Sequence, residues 1–140
     1  MHLSQRYLLV GVIFVLGTVI AYFEALGIQR HLFWFYPWYD IMMHGLGGLW
    51  AGLLLSWAYL AGGARWGEHH GLRYPLAAVI IGTLVVGLLW EIFEFVVKAN
   101  AGEQSVLLDT TVDLIMDATG AVLAYAFSGM RRFILRGASV

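Results

Sequence analysis

Four long apolar stretches alternate with short polar segments along the chain and predict four membrane-spanning helices. The stretches are 6–26, 40–60, 75–98 and 106–129. Each is close to the roughly 20 residues that an α-helix needs to cross a bilayer. Between the first two lies an almost entirely aromatic segment, 33–39, and such rings favour the headgroup level. This segment therefore predicts an interfacial anchor, and a wall that holds a lipid or sugar is the alternative.

The composition agrees with a membrane protein. The apolar fraction is 61%, the charged fraction 12% and the mean hydropathy +0.78, whereas soluble domains are about 45–50% apolar and about 25% charged. We expect an all-α, polytopic protein in which 1–140 form a single four-helix transmembrane domain. The first stretch is too long for a typical signal-peptide core and is interpreted as a retained helix. The absence of cysteine excludes disulfides and thiolate sites, and the net charge of -1 gives no indication of nucleic-acid binding.

The basic residues predict the orientation of the helices. The two terminal segments and the middle loop hold Arg6, Arg65, Arg73, Arg131, Arg132 and Arg136, and the other two loops hold Arg30 and Lys98. Because cytoplasmic segments collect Lys and Arg, we expect both termini and the middle loop to be cytoplasmic.

The last two apolar stretches contain acidic residues. Each carboxylate inside a membrane costs a few kcal/mol on insertion scales, so the need for a membrane span does not account for them. They are Glu91 and Glu94 at the end of the third stretch, and Asp109, Asp113 and Asp117 at the start of the fourth. The second stretch adds Asp40 and His44. In the predicted topology these groups share the outer half of the membrane, with Asp117 deeper, near the middle.

The spacing of these residues puts each set on one helical face, because residues three or four apart are neighbours on a helix. The pairs are Asp40 with His44, Glu91 with Glu94 (extended by Lys98), and Asp109 with Asp113 and Asp117. Further along the same helical faces the residues are small. Gly48 and Gly52 form a small-xxx-small pair, which predicts close helix packing.

So many acids around one histidine and one lysine leave an excess of negative charge, which protonation, water or a bound cation can relieve. Carboxylate oxygens favour Mg²⁺, Ca²⁺ or Mn²⁺, and a single histidine admits Zn²⁺ as a weaker choice. The predicted metal ligands are Glu91, Glu94, Asp113 and Asp117. The predicted catalytic pair is His44, as general acid/base, and Asp40, which would orient it. No organic cofactor is indicated.

Several of these residues also have simpler interpretations. Asp40 fits a helix N-cap, and Asp109 fits a first-turn acid favoured by the helix dipole. Glu94 and Lys98 fit an i,i+4 ion pair, and Glu24 fits the headgroup level. Asp109, Lys98 and Glu24 are therefore kept as further candidates. The remaining four, His44, Glu91, Asp113 and Asp117, lie inside apolar sequence and away from helix ends.

The order of these motifs resembles the YjdF-like family of small inner-membrane proteins and, more loosely, the VanZ-like family named for a teicoplanin-resistance protein. The motifs are Asp40-x-x-x-His44 with glycines after it, Glu91-x-x-Glu94, and Asp113-x-x-x-Asp117-x-x-Gly120-Ala121. The VanZ-like pattern tends to have Gln at position 94, Asn at 117 and Lys at 41. The resemblance covers about 39–126. It implies a multi-pass protein of the bacterial inner membrane and implies no reaction.

Three functions are compatible with this sequence. The first is a metal-dependent hydrolase or transferase that acts on a lipid or lipid-linked substrate at an outward-facing site. The second is a small proton- or ion-coupled transporter that works as a homodimer, with the glycines of the second stretch at the interface. The third is an accessory or assembly subunit whose polar cluster specifies helix packing.

Overall fold

The computed structural model describes residues 3–66, 75–97 and 106–137. Its elements are α1 (Leu3–Arg30), α2 (Leu32–Phe35), α3 (Pro37–Trp66), α4 (Pro75–Val97) and α5 (Val106–Gly137). All elements in these ranges are helices, so the all-helical class predicted from the sequence is confirmed there. The helices α1 and α3 extend beyond the predicted limits at both ends, and α5 extends beyond its predicted C-terminal limit.

Three of the described helices are long and apolar enough to cross a membrane, through Tyr7–Arg30, Pro37–Tyr59 and Leu76–Val96. Within the described ranges α5 does not meet the same criteria of length, hydropathy and charge. Its N-terminal half carries Asp109, Asp113 and Asp117. Three of the four predicted spans are therefore supported. The fourth span and the cytoplasmic location of both termini stay predictions.

The aromatic segment between the first two spans forms the single turn α2 and the start of α3. His31, between α1 and α2, has φ 55°, a left-handed conformation of the kind that commonly ends a helix. Pro37 begins α3, where its missing N–H costs no helical hydrogen bond. Tyr39 differs from its exposed neighbours because it is buried, and its hydroxyl donates to the carbonyl of Phe23 at 2.6 Å. This bond joins the end of α1 to the start of α3.

Helices α3, α4 and α5 pack against one another, and α1 packs against α3. A small apolar core lies where α1, α3 and α5 meet, at Leu9, Ile13, Leu53 and Ala124. At the same level the Trp50 indole N–H donates to the carbonyl of Ile13 at 3.0 Å. This hydrogen bond and that of Tyr39 hold α1 against α3 at two heights along the helices.

Glycines allow α3 and α5 to approach backbone to backbone. A Cβ atom on Gly48 would overlap the main chain of Asp117, and one on Gly52 would lie 2.8 Å from the Cα of Ala121. On α5, Gly120 lies in the same way against the backbone of Leu49. The small-xxx-small pair of α3 thus packs inside one chain, against α5. A homodimer stays a prediction.

Candidate intramembrane cation site

The imidazole of His44 lies between carboxylates of three helices. Its Nδ1 is 3.5 Å from Oδ2 of Asp117 on α5, and its Nε2 is 3.5 Å from Oε1 of Glu91 on α4. One turn earlier on α3, Oδ1 of Asp40 is 4.0 Å from the same Nε2. Each ring nitrogen therefore faces a carboxylate, which is the arrangement in which histidine can hold a proton or a metal on one side and an orienting acid on the other.

Glu91 is held in place by α5. The hydroxyl of Thr110 donates to Oε2 of Glu91 at 2.6 Å. The other oxygen, Oε1, faces His44 and has no hydrogen-bond partner among the described residues. Glu91 thus has one oxygen that accepts from Thr110 and a second that faces the cluster.

Asp113 is the most deeply buried acid of the site, with 1% of its surface exposed. In the part of the chain that the structure describes, neither of its carboxylate oxygens has a hydrogen-bond partner, and Oδ2 of buried Asp117 has none either. A buried polar group without a partner costs about 1–3 kcal/mol, and a charged one costs more. These buried oxygens therefore lack a stabilising donor or cation among the described residues.

Three overlapping groups bring their potential ligand atoms within 4.8 Å of one another. They are Asp40 with His44 and Glu94, His44 with Glu91 and Asp113, and Asp40 with Asp109 and Asp113. Oxygen ligands about 2.0–2.6 Å from Mg²⁺ or Ca²⁺ lie at most about 4–5 Å from one another. The spacing of each group therefore fits a single cation.

The burial of these residues is graded along the bundle. The second of the three groups, His44 with Glu91 and Asp113, is buried throughout, whereas Asp40, Glu94 and Asp109 are half-buried. Glu94 also accepts a hydrogen bond from the indole N–H of Trp90 at 2.8 Å, and Trp90 itself is 40% exposed. The cluster is thus closed at its deep end and more open at the end where α3 and α5 begin.

The sequence-predicted residues have different positions relative to this cluster. The structure brings six of them together in the three groups, Asp40, His44, Glu91, Glu94, Asp109 and Asp113. Asp117 belongs to none of the three groups, but its Oδ2 lies 3.5 Å from Nδ1 of His44. Glu24 is half-buried on α1 and belongs to none of the groups, and Lys98 lies outside the described residues. The catalytic and ligand roles assigned to these residues stay predictions.

Two residues of the site were not singled out from the sequence, Thr110 and Trp90. Both carried a signal in their spacing, because Thr110 precedes Asp113 by three residues and Trp90 precedes Glu94 by four. Residues at these spacings share a helical face. A hydroxyl and an indole N–H on an acidic face are donors available to the carboxylates.

One of three comparisons with known proteins found a match. The family model described as "Predicted membrane protein (DUF2238)" matches residues 3–133. The chain belongs to this family. It includes the YjdF-like proteins, so that resemblance is confirmed, whereas the resemblance to VanZ-like proteins is not supported. No curated protein and no solved structure matched the chain. Family membership thus supports a membrane protein with apolar spans and specifies no activity.

Proposed function

We propose that this membrane protein binds one divalent cation inside the helix bundle and uses it to hydrolyse or transfer a group of a lipid or lipid-linked substrate. The favoured ions are Mg²⁺, Ca²⁺ and Mn²⁺, with Zn²⁺ a weaker choice because a single histidine is present in the cluster. The observation that carries the proposal is Asp113, whose two buried oxygens find no hydrogen-bond donor among the described residues.

The proposed ligands are His44, Glu91 and Asp113, which form the group that is buried throughout. Each comes from a different helix, so a bound cation would also link α3, α4 and α5. It would neutralise the carboxylates, whose burial together is otherwise unfavourable. This argument favours a cation over a purely structural polar network, which leaves the oxygens of Asp113 without partners.

The two nitrogens of His44 have different roles in this proposal. With Nε2 as the ligand, Nδ1 would carry the ring proton, and Nδ1 faces Oδ2 of Asp117 at 3.5 Å. Histidine ligands commonly donate their second N–H to a carboxylate, which fixes the ring and raises its basicity. Asp117 then orients His44, and the acid/base role passes to Asp40 or Glu94 at the more open end of the cluster.

The proposed substrate class rests on the surroundings of that open end. Trp90, next to Glu94, shares an exposed face of α4 with Phe93, whose ring lies 5.4 Å from that of Trp90. In a membrane such a face contacts acyl chains, so the reacting group of a lipid reaches the cluster without crossing water. The cation would polarise an ester or phosphoester oxygen and activate a water. The water's oxygen would bond to the carbonyl carbon or phosphorus, and the bond from that atom to the leaving oxygen would break. The carboxylate that took the water's proton would pass it to the leaving oxygen.

The proposed topology places α5 as a fourth span in a bacterial inner membrane, with both termini in the cytoplasm. Its acids do not prevent this, because they face α3 and α4 and not the lipid. Intramembrane acids that face a bundle interior are the tolerated kind.

The test is the metal content of the purified full-length chain in mild detergent, compared with the double variant Glu91→Gln/Asp113→Asn. About one ion per chain is expected in the wild type and none in the double variant. Glu24→Gln is the matched control, because Glu24 is a half-buried acid outside the three groups and should keep the ion. A folded wild type without metal, whose thermal stability does not change with any of the four cations, contradicts the whole proposal. Bound metal without lipid turnover in vesicles contradicts only the enzymatic part.

A further inference from the structure

Two buried hydroxyl groups lie beyond the deep end of the cluster. Ser56 on α3 is 3% exposed and Thr83 on α4 is 1% exposed. Neither hydroxyl has a hydrogen-bond partner within the described ranges of the chain. They belong to none of the groups considered as cation ligands.

Other hydroxyls in these helices behave differently. Those of Thr18, Thr111, Thr119 and Ser128 each donate to the carbonyl four residues earlier, at 2.7–2.9 Å. This local bond is the usual way in which a helix satisfies Ser and Thr. Because Ser56 and Thr83 do not use it, their hydroxyls are free to bind another molecule. Buried water typically occupies such places, with about three hydrogen bonds to otherwise unsatisfied polar groups.

The two hydroxyls lie at nearly the same level of the bundle. The side chain of Leu55, the residue before Ser56, lies against Gly82, the residue before Thr83. The buried indole nitrogen of Trp57, the next residue on α3, is also without a partner in the part of the chain that the structure describes. Ser56 and Thr83 thus lie at similar heights on two adjacent helices, whereas Trp57 packs toward the apolar core.

This level adjoins the carboxylate cluster on one side. Thr83 is one turn, about 6 Å, from Gly87 along α4. Gly87 lies directly against the carboxylate of Asp117. On the other side, Ser56 is within one turn of Tyr59, where the apolar span of α3 ends. The hydroxyls therefore occupy the apolar interval between the cluster and the opposite end of the bundle.

We propose that Ser56 and Thr83 hold water, and that this water completes a polar path which carries protons between the carboxylate cluster and the far end of α3. A hydroxyl can relay a proton without net change, because its oxygen accepts one proton as it releases its own to the next oxygen. Polar residues in the interior of membrane proteins often mark proton and ion pathways. This path is an activity additional to the proposed chemistry, and it does not require a bound cation.

The test is proton flux through the full-length chain reconstituted into liposomes with a trapped pH-sensitive dye. A pH gradient is imposed, and potassium with valinomycin compensates the charge that moves. Wild type should dissipate the gradient faster than empty liposomes. The double variant Ser56→Ala/Thr83→Val should lower the protein-dependent rate roughly tenfold, because it removes hydrogen bonds that hold the water. Wild-type flux equal to that of empty liposomes, or equal flux in wild type and double variant, overturns the proposal.

Two controls separate this result from misfolding and from failure of the cation site. Thr119→Val removes an exposed hydroxyl that bonds to the carbonyl of Ile115, and it should leave the flux unchanged. The double variant should keep wild-type thermal stability, because an unpaired buried hydroxyl is replaced by an apolar group. It should also keep the metal content of the wild type. Loss of flux with retained metal therefore supports the path, and flux in a protein without metal refutes only the cation proposal.

Discussion

Gly87 of α4 lies directly against the carboxylate of Asp117 on α5, so that a Cβ atom at position 87 would overlap Oδ2. The same Oδ2 faces Nδ1 of His44 on α3 at 3.5 Å. The absence of a side chain at Gly87 of α4 thus leaves room for the Asp117 carboxylate of α5 to lie beside His44 of α3.

Gly87→Ala should therefore weaken cation binding without removing any ligand. The added methyl group displaces the Asp117 carboxylate from His44, and loss of such an orienting partner typically costs 10- to 100-fold in metal affinity. Calorimetric titration of metal into the stripped protein measures this change. Gly47→Ala is the control, because a Cβ atom there would meet nothing within 4 Å. Equal affinities in the two variants would show that Asp117 does not support the site.

Gly48→Ala should lower the free energy of unfolding by forcing α3 and α5 apart. Its Cβ atom would meet the main chain of Asp117, which cannot rotate away as a side chain can. Overpacking of this kind costs about 1–3 kcal/mol, and more where backbone must move. Reversible unfolding in mixed detergent measures the change. Gly11→Ala, on an open surface of α1, should be neutral or slightly stabilising. A Gly48→Ala protein as stable as Gly11→Ala would exclude the close crossing.

Thr110→Val should destabilise the metal-free protein, because it removes the hydroxyl that donates to Oε2 of Glu91. The expected cost is about 1–3 kcal/mol, the usual penalty for a buried acceptor that loses its donor. Thermal unfolding after chelation provides the measurement. The neighbouring Thr111→Val removes an exposed hydroxyl that bonds to Leu107 and should cost less. Thr110→Ser should restore stability, and failure of this rescue would assign the effect to packing.

Tyr39→Phe should loosen the end of α1, because its hydroxyl donates to the carbonyl of Phe23. A hydrogen bond of this type contributes about 0.5–1.5 kcal/mol. Hydrogen–deuterium exchange should rise in peptides covering 20–30 and remain unchanged in peptides from α4. Tyr22→Phe, at an exposed position of α1, is the matched control. Unchanged exchange in the Tyr39 variant would show that ring packing alone holds α1.

The helical class and three spans were predictable from the sequence because a bilayer leaves an apolar chain few alternatives. Backbone N–H and C=O groups in lipid must form hydrogen bonds within their own segment, which an α-helix achieves. About 20 apolar residues in a helix are long enough to cross the bilayer. The fourth stretch is different, because Asp109, Asp113 and Asp117 lower the apolar character of its first half. Composition alone therefore does not decide whether α5 spans the membrane.

The sequence also determined which acids share a face, since the helical period alone places Asp113 beside Asp117 and Asp40 beside His44. It did not determine which faces of the different helices contact one another. The rotation and offset between helices depend on where backbones approach, and here glycines such as Gly48, Gly87 and Gly120 set that approach. Only the tertiary structure therefore decided that His44 lies between Glu91 and Asp117, that Thr110 donates to Glu91, and that Ser56 and Thr83 share one level.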